Sequence, residues 1–132
     1  IKSYSSENLI LTGYIRNNDE LNSLYQNCYA YIHGHQYGGT NPTMINALSL
    51  NCQILALNTV FNNEMLENKK AFYFKKNKKS IINSFRLFEK NYNKLIKENK
   101  NYKLPEKYNW NYITKKYLEI FFKLTNFQNK SV

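Results

Sequence analysis

Tyr29-Ala-Tyr31-Ile-His33-Gly34-His35-Gln-Tyr37-Gly38-Gly39-Thr40-Asn41-Pro42-Thr43-Met-Ile-Asn46-Ala47-Leu48-Ser-Leu50 is the stretch on which the fold turns. Residues 29–33 are apolar and β-prone and stop at Gly34, so they read as a strand. Gln36 to Asn41 is a glycine-rich loop, and a helix follows from Pro42 to about Leu50. Asn41 is a good N-cap, and Pro42 suits the first helical position, where its missing N–H costs no bond. A strand that passes through a short loop into a helix is the first half of a βαβ unit.

The neighbouring segments extend that unit in both directions. Upstream, Asn8-Leu-Ile-Leu-Thr-Gly13 is a short apolar run ended by glycine and reads as a buried strand. Asp19 and Glu20 then open a helix with Leu21, Leu24, Tyr25 and Cys28 spaced three and four apart. Acids in a first turn suit the positive end of the helix dipole. Downstream, Gln53 to Leu57 is a third strand, and Ala71 to Phe74 a short fourth near an edge, because lysines follow it. The alternation predicts an α/β fold with a parallel sheet.

The remainder reads as helical. Ser80 is expected to cap a helix with Ile81, Phe85, Phe88, Tyr92 and Leu95 on one face. Pro105 breaks the chain, and a last helix from about Trp110 carries Ile113, Tyr117, Phe121 and Leu124 on one stripe, which reads as core. There is no internal repeat and no Gly/Ser linker, so residues 1–132 form one expected domain.

Composition removes several classes. The 132 residues suffice for a single core, and no apolar stretch approaches the roughly 20 residues that span a bilayer. No charged leader with an apolar stretch opens the sequence, and the start at Ile1 reads as a piece of a longer chain. The net charge of +10 is uneven: residues 1–68 carry −3 and residues 69–132 carry +13. Asn and Lys are abundant and Arg is nearly absent, as an AT-rich coding bias would produce, which discounts the lysines as a binding site. Cys28 and Cys52 form no CxxC or zinc-type cluster; reduced core thiols in a cytoplasmic protein is the favoured reading, a disulfide the lesser one.

The loop 37–42 carries the chemistry. Open α/β sheets place ligands at the carboxyl ends of their strands, where this loop lies. Gly38 and Gly39 permit positive φ and close approach to the backbone, while Thr40, Asn41 and Thr43 offer polar donors. A helix start suits a phosphate or diphosphate, whereas a capped turn without ligand explains the same residues about equally well. The loop is neither a Walker loop nor GxGxxG. His33 and His35 share one strand face and lack further metal partners, so they read as pocket or packing groups. Arg16 beside Gly13 reaches toward the same crevice or is a solvated surface residue. Glu64 either bonds sugar hydroxyls or caps a following helix.

Tyr31-Ile-His-Gly-His35, Gly38-Gly-Thr-Asn-Pro-Thr43 and Asn46-Ala47-Leu48 together resemble the donor-binding segment of glycosyltransferase family 4. The branch resembled is the bacterial rhamnosyltransferase-type enzymes of surface polysaccharide synthesis. Leu11-Thr-Gly-Tyr14, Glu20 to Tyr25, Val60-Phe-Asn-Asn-Glu64 and Tyr108-Asn-Trp-Asn-Tyr-Ile113 agree in order, so the resemblance runs through nearly the whole chain. It implies a Rossmann-like parallel sheet with flanking helices, part of the C-terminal half of a GT-B fold, ending in two helices.

The resemblance also implies function. Gly38, Gly39, Thr40, Asn41, Pro42 and Thr43 would hold the diphosphate and sugar of a dTDP- or UDP-linked donor. Asn46 stands where the family has a ribose-binding Glu, and Gly38 where the loop has another Glu. Gly13, Arg16, His33, His35 and Glu64 are pocket candidates. The implied reaction is retaining transfer to a glycan or lipid-linked acceptor, with the catalytic base in a half not included here. No metal and no cofactor are implied. Lysine-rich faces suit contact with an anionic inner-membrane surface. The alternatives are a non-catalytic scaffold of the same fold and a basic nucleic-acid-binding module. Against the module, arginine is scarce and the aromatics fall on helical stripes, so no nucleic-acid partner is expected.

Overall fold

A computed structural model describes residues 8–128. The described elements are α1 (Asn18–Asn27), β1 (Tyr31–His33), α2 (Pro42–Ser49), β2 (Ile54–Leu57), α3 (Val60–Met65), β3 (Phe72–Phe74), α4 (Lys78–Asn99) and α5 (Trp110–Gln128), with a 3-10 turn at Glu106–Tyr108. The fold is mixed α/β with a three-stranded parallel sheet in the order β1-β2-β3. Tyr31 lies opposite Ile54, and Leu55 opposite Phe72.

Both faces of the sheet are covered, which is why β2 reads as an unbroken apolar run with all four residues buried. On one face Ile54 and Ala56 pack with Met44, Ala47 and Leu48 of α2 and with Met65 and Leu66. On the other face Leu55, Leu57 and Phe74 meet Phe88 and Leu95 of α4. Helix starts are capped by local side chains: Asn17, Asn41, Thr59 and Asn77 accept from the first-turn amides of α1 to α4.

Three expectations are corrected. Residues 8–13 form no strand: Leu9, Ile10 and Leu11 are exposed, and Gly13 turns the chain at φ 66°. An apolar run becomes a strand only where an edge accepts its backbone bonds and a layer covers its side chains. Here α1 buries no residue that could cover it. Ser80 does not cap α4: Asn77 is extended and its side chain accepts from the Ser80 amide at 2.8 Å, while Ser80 Oγ accepts from Lys75 N at 2.8 Å. The stripe of α5 is apolar but is not core, since Tyr117, Phe121 and Leu124 are 59%, 56% and 61% exposed and only Ile113 is half-buried. Among the described residues no helix is long and apolar enough to cross a membrane.

Candidate functional site

The loop from Gly34 to Asn41 leaves the carboxyl end of β1 and delivers the chain to α2, where the sequence places it. Gly38 adopts φ 118°, a conformation that side chains rarely tolerate, and His35 Nε2 lies 3.7 Å from where its Cβ would be. Gly39 differs: its backbone is ordinary and nothing lies within 4 Å of a Cβ built there. Among the described residues no protein acceptor meets the amides of Gly38, Gly39 or Thr40.

The start of α2 is more occupied than expected. Asn41 Oδ1 accepts from Thr43 N at 3.0 Å, Met44 N at 3.4 Å and Thr43 Oγ1 at 2.7 Å. The amides that a helix start leaves over are therefore already satisfied by the cap, and the free donors lie one step earlier, in the loop. The dipole of α2 still favours negative charge there.

A polar chain that runs from exposed Thr43 through half-buried Tyr31 to buried His33 supports this corner. Tyr31 OH lies 2.8 Å from Thr43 Oγ1 and 3.1 Å from His33 Nδ1. Burial, and then the nearby His35, hold His33 below the ordinary imidazole value, so it is neutral near pH 7. Its Nε2 is buried without a partner, while its ring sits 6.0 Å from that of His35. Asn62, itself buried, donates from Nδ2 to His35 O at 3.0 Å and Leu57 O at 2.8 Å, tying the loop to the end of β2. Met65 Sδ accepts from Asn41 N at 3.5 Å, so α3 braces the loop from one side.

Two adjoining cavities open beside the loop. One of about 90 Å³ is lined by Gly39, Thr40, Glu64 and Tyr108, and one of about 410 Å³ by Thr40, Asn46, Lys107, Tyr108 and Trp110, among others. Thr40 and Tyr108 belong to both. Lys107 Nζ pairs with Glu67 at 2.7 Å, and both side chains are substantially exposed, so the pair can open at little cost. A larger cavity of about 500 Å³ lies under residues 66–71 and the end of α4. It lies at the amino end of β3, away from the carboxyl ends of the strands, and the Asn99 side chain in its wall is already committed to Lys70 and Gln53.

The structure thus brings Gly39, Thr40, Asn46 and Glu64 together, with Asn41, Pro42 and Thr43 building the helix start beneath them. Gly38 shapes the loop by its φ and lines neither cavity. Gly13 and Arg16 are exposed and line neither cavity, and His33 at the end of β1 and His35 within the loop line neither cavity either. Glu64 caps no following helix: it sits on α3, whose cap is Thr59. Among the described residues no three His, Cys, Asp or Glu side chains cluster as metal ligands would. Asn62, Lys107 and Tyr108 also stand at this corner, although the sequence reading named none of them as a site residue. Asn62 had a weak signal, a polar residue just past a buried strand, whereas Lys107 and Tyr108 arrive through long-range packing of Tyr108 against the α2 core. No protein family's model, no curated protein and no solved structure matches this chain.

Proposed function

We propose that this chain is the donor-binding portion of a glycosyltransferase, holding a nucleoside-diphosphate sugar at the loop 38–40 while the sugar is passed to a glycan or lipid-linked acceptor. One observation carries the reading: three acceptor-free amides, at Gly38, Gly39 and Thr40, precede a helix start at the carboxyl edge of a parallel sheet, with open space over Gly39. The arrangement suits the Rossmann-like half of a GT-B fold, in which the leaving diphosphate is stabilised as charge develops on it. A preorganised amide donor is worth about 3 kcal/mol in comparable oxyanion sites. Asn46 and Glu64 then supply amide and carboxylate groups for ribose or sugar hydroxyls, and Lys107 supplies a cation at the mouth.

A scaffold of the same fold that has lost its donor is the second reading. It is favoured by Asn41 Oδ1, which already occupies the amides of Thr43 and Met44.

Calorimetric titration with UDP, dTDP and GDP, repeated on Gly39→Val, separates the two. The open surroundings of Gly39 mean that valine is accommodated by the protein itself, so lost binding reports the ligand and not the fold. The donor reading expects weak binding of at least one nucleotide and a loss of about tenfold or more in the variant, equal to about 1.4 kcal/mol. No binding by any nucleotide favours the scaffold reading, and equal binding by both proteins overturns the loop 38–40 as the donor site. Gly38→Val is the poorer probe, because φ 118° strains any side chain there.

A further inference from the structure

At the opposite, amino end of the strands, two thiols meet. Cys28 ends α1 and Cys52 precedes β2, and their Sγ atoms donate to the same acceptor, Tyr25 O, at 3.2 and 3.1 Å. Both pack in the same apolar cluster. The sheet brings the two segments together: Tyr31 lies opposite Ile54 and its amide donates to Gln53 O at 2.8 Å, so the chain that enters β1 from Cys28 runs beside Cys52. Neighbouring strands run about 4.8 Å apart, and a disulfide needs Cα atoms about 4.4–6.8 Å apart. Two Sγ atoms within 3.2 and 3.1 Å of one oxygen lie close enough for side-chain rotation to bring them together. Both cysteines are free thiols, and nothing in the candidate donor site uses either of them.

We propose that Cys28 and Cys52 are a redox pair that closes to an intramolecular disulfide when a hydroperoxide supplies the oxidising equivalents. Cys28, the half-buried member, is the attacking sulfur, because Cys52 is 5% exposed. Burial, and then the adjacent Cys28 thiol, push Cys52 up to about 12, so it attacks poorly and serves second. In the first step the Cys28 thiolate displaces one peroxide oxygen, becoming a sulfenic acid and releasing water or an alcohol after protonation. In the second step the Cys52 sulfur forms the S–S bond, its proton and the sulfenic hydroxyl leave as water, and the peroxide is the species reduced. The bond joins the end of α1 to the entry of β2. Since α1 buries none of its residues, this is the strongest tie it would have to the sheet.

The test is intact-mass analysis of the whole reduced chain under native conditions with a small excess of hydrogen peroxide, followed by peptide mapping. The expected product has lost the mass of two hydrogen atoms, titrates no thiol, and yields one linked peptide joining residues 28 and 52. Dithiothreitol is expected to reverse it fully. Cys28→Ser, a change at a half-buried helix end, is expected to keep the Cys52 thiol unlinked under the same dose. Accumulation of sulfinic or sulfonic acid on either sulfur, two untouched thiols after the peroxide is consumed, or linkage only between separate chains would each overturn the proposal.

Discussion

Two helices near the end of the chain look alike on paper and behave differently in the fold. The face of α4 carries Ile81, Phe85, Phe88, Tyr92 and Leu95, and that of α5 carries Ile113, Tyr117, Phe121 and Leu124. Phe88 and Leu95 are buried against the sheet, with Ile81 and Phe85 at the margin, whereas Tyr117, Phe121 and Leu124 stay more than half exposed, the rings of Tyr117 and Phe121 lying 6.2 Å apart on the same helix. Helical periodicity states that one side of a helix is apolar; it does not state that this chain supplies what covers it. The sharpest way to break the comparison is a pair of truncations. Phe88→Ala is expected to cost about 3–5 kcal/mol in urea unfolding, through lost burial plus a cavity. Phe121→Ala is expected to stay within about 0.5 kcal/mol. Equal costs would mean that α5 has a core after all.

The next contrast is polar. Asn99, four residues after Leu95 on the buried face of α4, is 2% exposed. Its Oδ1 accepts from Lys70 N at 3.0 Å, and its Nδ2 donates to Lys70 O and Gln53 Oε1, each at 2.9 Å. It thereby closes the loop before β3 onto the end of the long helix. Asn99→Ala leaves these groups without partners and is expected to cost about 2 kcal/mol in the same unfolding measurement. Asn111→Ala, on the exposed first turn of α5, is expected to change stability by less than about 0.5 kcal/mol. If the two asparagines prove equivalent, the network is replaced by water at no loss.

What was legible follows the same division between local and long-range causes. The Asn41–Pro42 start of α2, the apolar run of β2 and the edge position of β3 each have a local signature, and each lies where that signature puts it. The cap of α4 was misread because Ser80 and Asn77 are both cap-type residues, and only the extended backbone at Asn77 decides between them. Residues 8–13 were misread because a buried strand needs a partner that no local pattern announces. At the candidate site the glycine loop and Asn46 were visible, since their residue types carry the conformation. Lys107 and Tyr108 were not, because they lie nearly seventy residues downstream and reach Thr40 only through folding.

The segment between the two helices provides the smallest and most selective test. Tyr102 there lies under the ammonium of Lys69, 4.3 Å from Nζ to ring centre, and Lys69 also donates to Asn51 Oδ1. Lys69 is 4% exposed and has no carboxylate partner among the described residues, so burial lowers it to about 8 from an ordinary 10.5. Between those values the unfolded chain binds more protons than the folded one, and stability therefore rises with pH. Cys52 and Tyr102 act in the opposite sense: each is pushed up to about 12, from 9.0 and 10.0, so the unfolded chain sheds their protons first and stability falls above about pH 9. The rise due to Lys69 is clearest between pH 8 and 9, where it amounts to about 1 kcal/mol and outweighs the smaller opposing contribution of Cys52. Urea unfolding at half-unit pH steps is expected to show that rise in the wild type and to lose it in Lys69→Met. Phe121→Ala is expected to leave the profile unchanged, because α5 does not touch the ammonium. A wild-type profile flat from pH 8 to 9 would mean that Lys69 keeps its proton in the folded state, and that the joint between α4 and α5 is wetter than the packing of Tyr102 implies.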